Sequence, residues 1–302
     1  MLSFTIPNPK KIKKHRKHLS ILSSCYILFF YYKIILNCLV FQPLLINVVD
    51  TTPENASVYY FLNQMGGYIW NHPNTNQNNH EYHQKNTLFY LNCFTGNCST
   101  RFNIIQRFHS YLPSSYQIIQ FDLPGYGLSN YIRTDYNTIL SHVTDAINLF
   151  MRNQEEKRYA IFTEFEASLI ISQMYSKLTH KPSHIIHYNP SISLFHHLRS
   201  KYTSLSTPLF LPYIFQRTMT QWYDKNINKD NNTATTNFAI LENIRPENNR
   251  DLSVSDEIFL SLPVNFHQKK ILKLDGDGIA SLLSDCNREI LKTFFERFLI
   301  SS

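Results

Sequence analysis

Glycine is scarce in this chain: 7 among 302 residues. So few glycines leave little provision for turns that need a positive φ. Cysteine is also sparse, at 5, and no C-x-x-C pair or Cys/His spacing of a zinc site occurs. His80-Glu81-Tyr82-His83 is one residue short of H-E-x-x-H, so its two imidazoles would not share a helix face. No metal and no cofactor is therefore expected. Residues 1–18 contain no acidic residue, and no histidine follows His267. No internal repeat is visible. What is abundant is apolar: 43% of the residues, enough for a real core in one α/β domain with an appendage.

The formal net charge is +7. Lys10, Lys11, Lys13, Lys14, Arg16 and Lys17 account for nearly all of it. The remainder is close to neutral, which excludes a basic nucleic-acid face on the folded part. Residues 19–41 follow the basic cluster and are long enough to span a bilayer. Lys33 interrupts the run past its midpoint, where its ammonium can reach toward the far interface. The expected organisation is a basic cytosolic tail (1–18), a transmembrane signal anchor (19–41), leading strands with a polar linker (44–86) and an α/β domain (87–302). A cleaved signal peptide with its apolar region at Leu19–Tyr32, or a buried core helix, are the alternatives; no A-x-A-like cleavage site follows. The basic side faces the cytosol, so residues 44–302 are expected on the lumenal or outer side of a secretory-type membrane. Sequons at Asn55, Asn97 and Asn231 suit a glycoprotein on that side, although an Asn-rich chain yields sequons by chance. Cys93 and Cys98 are close enough for a small-loop disulfide there; free buried thiols are the alternative.

Leu88–Leu91 and Gln117–Phe121 are short apolar runs separated by a helix-length segment near Thr100–Tyr111. That is the pattern of a βαβ unit. Residues 44–49, 57–62 and Gly67–Trp70 read as leading strands. Tyr136–Arg152 carries Ile139, Val143, Ile147 and Phe150 at helical spacing. Tyr159–Thr163 reads as a strand, Ala167–Thr179 as a helix, and His184–His187 as a strand ending at Asn189-Pro190. Residues 194–236 lack a sheet period and are expected to form a cap insertion. Phe238–Glu242, Lys270–Leu274 and the helix Asn287–Phe298 complete a doubly wound, mostly parallel sheet.

Asp122-Leu123-Pro124-Gly125-Tyr126-Gly127-Leu128-Ser129 closes the second core strand. This stretch resembles the "DYPGYGxS" turn of the α/β-hydrolase superfamily, in particular membrane-anchored monoacylglycerol and lysophospholipid lipases and depalmitoylase-like serine hydrolases. Asn92–Asn97 matches the Gly-Asn end of their "HGNAGN" loop and lacks its His-Gly start. Asp145 resembles the Asp that opens the helix before the nucleophile. His187–Ser193 resembles "ENPFTS", and Trp70 with Pro73 a "WHxxP" element. The resemblance is specific only over residues 88–195. It implies a Ser–acid–His triad in that chain order, and Asp122 and Ser129 as structural residues of the turn.

The implied nucleophile elbow, G-x-S-x-G, falls on Thr163-Glu164-Phe165-Glu166-Ala167. Phe165 takes the serine position and has no nucleophilic atom. A positive φ is costly for so bulky a residue. Glu166 takes the position whose backbone N–H completes the oxyanion hole, where a carboxylate opposes a developing oxyanion. A frame centred on Ser168 would put Glu166 and Ile170 where small residues are needed. The triad histidine should follow Lys270–Leu274, and there the chain reads Gly276-Asp277-Gly278-Ile279, with Gly278 nearest the histidine position. The acid falls near Glu247, Asn248 or Asn249. The remaining histidines, such as His109, His142, His184 and His187, are expected in structural roles.

The expected function is that of a membrane-anchored, non-catalytic α/β-hydrolase-like protein with a lipid or protein ligand. The alternative is an active lipid-ester or thioester hydrolase with a displaced nucleophile, Ser168 or Cys93, served by a histidine from elsewhere. That alternative requires a Ser or Cys within hydrogen-bond reach of a His. A chain of unrelated fold would show no parallel sheet.

Overall fold

The computed structural model describes residues 20–32, 52–61, 64–71, 86–92, 101–129, 134–152, 158–201, 218–223 without 220, 236–244, 254–262, 269–276 and 278–300, together with 34, 131, 132 and 154. The chain divides into two compact units, Met1–Gln42 and Pro43–Ser302. In the first, residues 20–32 are helical, and Leu22, Tyr26, Leu28, Phe29 and Tyr31 are all exposed. Among the described residues no helix is long and apolar enough to cross a membrane. Residues 35–41 of the expected span lie outside the described residues.

The second unit is an eight-stranded sheet flanked by helices. Its elements run β1 (Ala56–Tyr60), β2 (Gly66–Trp70), β3 (Asn86–Leu91), α1 (Phe102–His109), β4 (Tyr116–Phe121), α2 (Tyr136–Arg152), β5 (Tyr159–Glu164), α3 (Ala167–Met174), β6 (His184–Tyr188), α4 (Leu194–Lys201), β7 (Asn237–Ile244), α5 (Val254–Ser261), β8 (Lys269–Asp275) and α6 (Asp285–Ile300). The strand order is β1-β2-β4-β3-β5-β6-β7-β8. β1 and β2 pair antiparallel, and β3 to β8 are mutually parallel. The parallel sheet removes the possibility of an unrelated fold.

β4, β5 and β6 are buried along their whole length, and each carries a continuous apolar centre rather than an alternating pattern. On one face, Ile105 and Phe108 of α1 and Leu291, Phe295 and Phe298 of α6 pack with Tyr90, Phe162 and Ile186. On the other, Phe150 of α2 meets the ring of Phe89 edge-on at 5.6 Å. Each of these large side chains contributes ~1.5–3 kcal/mol by leaving water.

Three sequence expectations are revised. Asp145 does not open α2; it lies in the middle of that helix. Asp135 opens it, accepting the Thr138 N–H at 2.9 Å as an N-cap carboxylate does. The helix expected over Ala167–Thr179 ends at Met174 and tightens into a 3-10 turn, Tyr175–Lys177. α5 falls in a stretch that the sequence left unassigned. The strand expected at 44–49, residues 72–85 of the expected linker, the Cys93–Cys98 loop, His80–His83, Pro73, Asn97, Asn231 and most of the cap lie outside the described residues. Cys25 and Cys286 are exposed free thiols.

Candidate functional site

In a doubly wound sheet, sites form at the carboxyl ends of the parallel strands. Two features stand there. The first is the turn after β4. Asp122 is buried, and its Oδ2 accepts the Leu128 N–H at 2.9 Å. Gly127 has φ +44, and a Cβ there would lie 2.3 Å from Asp122 Oδ2. Gly125, at φ +89, would meet Thr134 Oγ1 in the same way. Ser129 Oγ accepts the Gly66 N–H at 2.9 Å, fastening the turn to β2. Asp122 and Ser129 thus spend their acceptors on backbone, and both glycines sit where only glycine fits.

The second feature is the turn from β5 into α3. Phe165 has φ +45, one of three positive-φ non-glycine residues among those described. The strained elbow conformation is therefore present although a phenylalanine stands in it. The cost, ~1–3 kcal/mol, is offset by what surrounds the residue. Its N–H donates to the Tyr188 carbonyl at 2.9 Å, extending the β5–β6 ladder by one bond. Its ring meets the Tyr188 ring edge-on at 5.7 Å. Thr163 and Ala167, two places either side, are fully buried.

Ser168 lies inside the first turn of α3, not on the elbow. Its hydroxyl donates to the Phe165 carbonyl at 2.7 Å and receives the Ser191 N–H at 3.4 Å. It is a local cap that closes the first helical turn. Among the described residues no histidine nitrogen is a hydrogen-bond partner of Ser168. Glu166 is buried at the start of the same helix.

Glu164, the last residue of β5, is fully buried. Its Oε2 pairs with Arg101 Nε at 3.1 Å, and its Oε1 accepts the Tyr90 hydroxyl. The carboxylate is thus charge-paired and hydrogen-bonded beneath the elbow. No role for Glu164 is legible in the sequence, because Arg101 and Tyr90 come from elements distant in the chain.

At the ends of β7 and β8 stands a neutral cluster that includes Gly278, the residue nearest the expected histidine position. Asn243, near the end of β7, donates its Nδ2–H to the Gly278 carbonyl at 2.9 Å. Ser281 Oγ donates to Asn243 Oδ1 at 2.5 Å. The Tyr188 hydroxyl lies 2.9 Å from Asn243 Oδ1 and 2.8 Å from Ser281 Oγ, and also bonds the Gly278 carbonyl. Burial raises the Tyr188 pKa above the ordinary tyrosine value, so this hydroxyl stays protonated. The same tyrosine therefore supports the Phe165 ring and ties together β7 and the turn after β8. Gly278 has φ +56 and opens the 3-10 turn Gly278–Leu283, with no side chain to offer. Glu247, Asn248 and Asn249 lie outside the described residues. Asn243 was not foreseen; the signal was its place near the end of the penultimate strand.

On the opposite face, His187 is held between Thr163 Oγ1 at 2.6 Å and the Tyr223 hydroxyl at 2.9 Å. Burial lowers its pKa to about 3, so the imidazole is neutral at physiological pH. It fastens a described piece of the expected cap, residues 218–223, to the sheet. Trp70 Nε1–H donates to Gln120 Oε1 at 3.2 Å, and Gln120 donates to Asn92 Oδ1 at 3.2 Å. That chain of bonds leads to the start of the Asn92–Asn97 loop, of which Asn92 alone is described. No group of three or more His, Cys, Asp or Glu able to hold a metal exists among the described residues.

The fold is that of the α/β-hydrolases. The chain resembles an esterase of Pyrococcus furiosus, with a TM-score of 0.54 and 12% identity over 83% of this chain and 94% of that one. It resembles a soluble variant of monoglyceride lipase from Saccharomyces cerevisiae, solved with a substrate analogue, at 0.51 and 13% over 84% and 97%. Esterase 2 of Thermogutta terrifontis, phosphonylated by sarin, gives 0.56 and 9% over 83% and 96%. No protein-family model matches the chain, and no curated protein matches it in sequence.

Proposed function

We propose that this chain is a membrane-anchored pseudohydrolase: an α/β-hydrolase-fold protein that binds a lipid or protein ligand and does not cleave it. The single observation that carries this reading is Phe165 at φ +45. The backbone makes the elbow, and the side chain on it has no lone pair with which to attack a carbonyl. Neighbouring groups favour the same reading. The buried Glu166 carboxylate starts α3, where an oxyanion would develop. Asn243, Tyr188 and Ser281 bond one another and the Gly278 carbonyl, which leaves that cluster without an imidazole or a carboxylate. The anchor is supported by the exposed apolar helix over residues 20–32, preceded by a basic cluster and no acid.

Labelling of the full-length chain with a fluorophosphonate probe, beside a hydrolysable lipid-ester assay, tests the reading. Neither labelling nor turnover is expected. Labelling that disappears in Ser168→Ala would make the protein a serine hydrolase with a displaced nucleophile and end this proposal. Resistance of the chain to alkaline carbonate extraction tests the anchor.

A further inference from the structure

β8 is the outermost strand of the described sheet, and beside it runs a groove of about 470 Å³. Its walls are Lys270 and Leu272 of β8 and Glu289, Ile290, Phe294 and Arg297 of α6. Ile290 is 45% exposed, which is unusual for an isoleucine facing a groove rather than standing alone. An edge strand offers unpaired backbone N–H and C=O groups to any second strand. Three lysines, Lys269, Lys270 and Lys273, would ordinarily repel one.

The charges on β8 and α6 are complementary to themselves. A two-fold axis normal to the sheet through Leu272 sets β8 antiparallel to its own copy and keeps each side chain on its own face. In that register Leu272 faces the partner's Leu272. Lys269 faces the partner's Asp275, Lys270 the partner's Leu274, and Ile271 the partner's Lys273. No lysine faces a lysine. Sliding by two residues one way opposes Lys269 to the partner's Lys273; sliding the other way opposes Lys273 to the partner's Lys273. Like charges directly opposed destabilise a strand pair, so the lysines do not forbid pairing but select one register. The helix above obeys the same rule. Antiparallel copies of α6 centred on Thr293 set Glu289 against the partner's Arg297, twice. Both residues are exposed. Lys270 and Asp275 are exposed too, and Lys269 reaches the Leu262 carbonyl at 3.3 Å with donors to spare.

We infer that β8 and α6 form a two-fold interface between two copies of this chain, extending the sheet through Leu272. The contact is isologous, so it closes as a dimer and does not propagate. It stands independently of any catalytic reading.

The test is the mass of the full-length chain in a mild nonionic detergent, by light scattering and sedimentation velocity across a dilution series. A dimer is expected. Asp275→Lys opposes Lys269 with a second cation at both ends and should weaken association about tenfold or more. Arg297→Glu should do the same from the helix. The double reversal Lys269→Asp/Asp275→Lys should restore the dimer, because it exchanges the partners of each pair. Circular dichroism and a thermal melt establish that each variant is folded, and Arg297→Glu remains if a strand variant is not. A monomeric wild type overturns the inference, as does a dimer indifferent to both single reversals. A double reversal as weak as Asp275→Lys alone overturns the register.

Discussion

The turn Asp122–Ser129 and the elbow Thr163–Ala167 lie at the carboxyl ends of parallel strands in the same sheet, and they stand differently against the hydrolase pattern. The turn has both the residues and the geometry: a buried carboxylate capping Leu128, a serine hydroxyl on Gly66, and glycines where a Cβ would collide. The elbow has the geometry alone. Its φ of +45 is held by the bond to the Tyr188 carbonyl while a phenylalanine occupies it. Backbone shape there is set by the β5–β6 ladder and the start of α3, so it survives any side chain that packs. Reactivity depends on single atoms that the ladder does not need. Structural similarity to esterases therefore carries no activity with it.

The contrast sharpens under acid. Behind the elbow, burial holds His187 near pKa 3, and at the start of the same strand burial holds His184 near pKa 4. Both folded-state values lie below the unfolded value of ~6.5. The unfolded chain therefore binds more protons between about pH 6.5 and pH 3–4, and stability falls as the pH drops through that window. Denaturant midpoints should be flat above pH 7 and fall by several kcal/mol equivalent by about pH 4. His187→Gln should lessen that slope, whereas Asp122→Asn should leave the histidine-driven part of it in place. An unchanged slope in His187→Gln would mean that the imidazole is not buried neutral.

The next largest effect belongs to the ion pair beneath the elbow. Removing Arg101 leaves the fully buried Glu164 with Tyr90 and without its cation. Arg101→Met should cost on the order of 3 kcal/mol, read as a drop in melting temperature. Arg101→Met/Glu164→Gln should recover much of it, since an amide needs no counter-charge. If the single variant melts like the wild type, the pair is not buried as described. On the turn side, Asp122→Ala should cost ~2 kcal/mol by leaving the Leu128 N–H unpaired.

Most of the strands were legible because fully buried parallel strands are written as apolar runs between polar breaks. β3, β4, β5 and β6 fall within two residues of their expected ends. The turn was legible too, since Gly125 and Gly127 announce positive φ. The elbow was legible only by its place. Nothing in Thr163–Ala167 announces that Phe165 would adopt φ +45, because the forces that hold it there come from Tyr188, on the next strand. Asp145 misled because an acidic residue inside a helix looks the same in sequence as one that caps it; Asp135 caps through a backbone bond that a string cannot display. Glu164 with Arg101 and Tyr90, and Asn243 with Tyr188 and Ser281, assemble from segments far apart in sequence. Such clusters leave no local spacing to read.

The smallest change asks most of the comparison. Phe165→Ser restores the nucleophile's side chain to a backbone already shaped for it. The substitution loses the edge-on contact with Tyr188, which contributes ~0.5–1.5 kcal/mol, and sheds little of the φ strain, because serine also disfavours φ > 0. A loss of about 1 kcal/mol in stability is expected. No fluorophosphonate labelling should accompany it. A serine needs a base to take its proton, and the position nearest the histidine that the resemblance implies is Gly278, whose carbonyl is already bonded by Asn243 and Tyr188. Labelling of Phe165→Ser would mean that some histidine of this chain reaches the elbow, which would then be one residue away from chemistry. Silence in a folded variant would mean that a serine on the elbow finds no base to activate it.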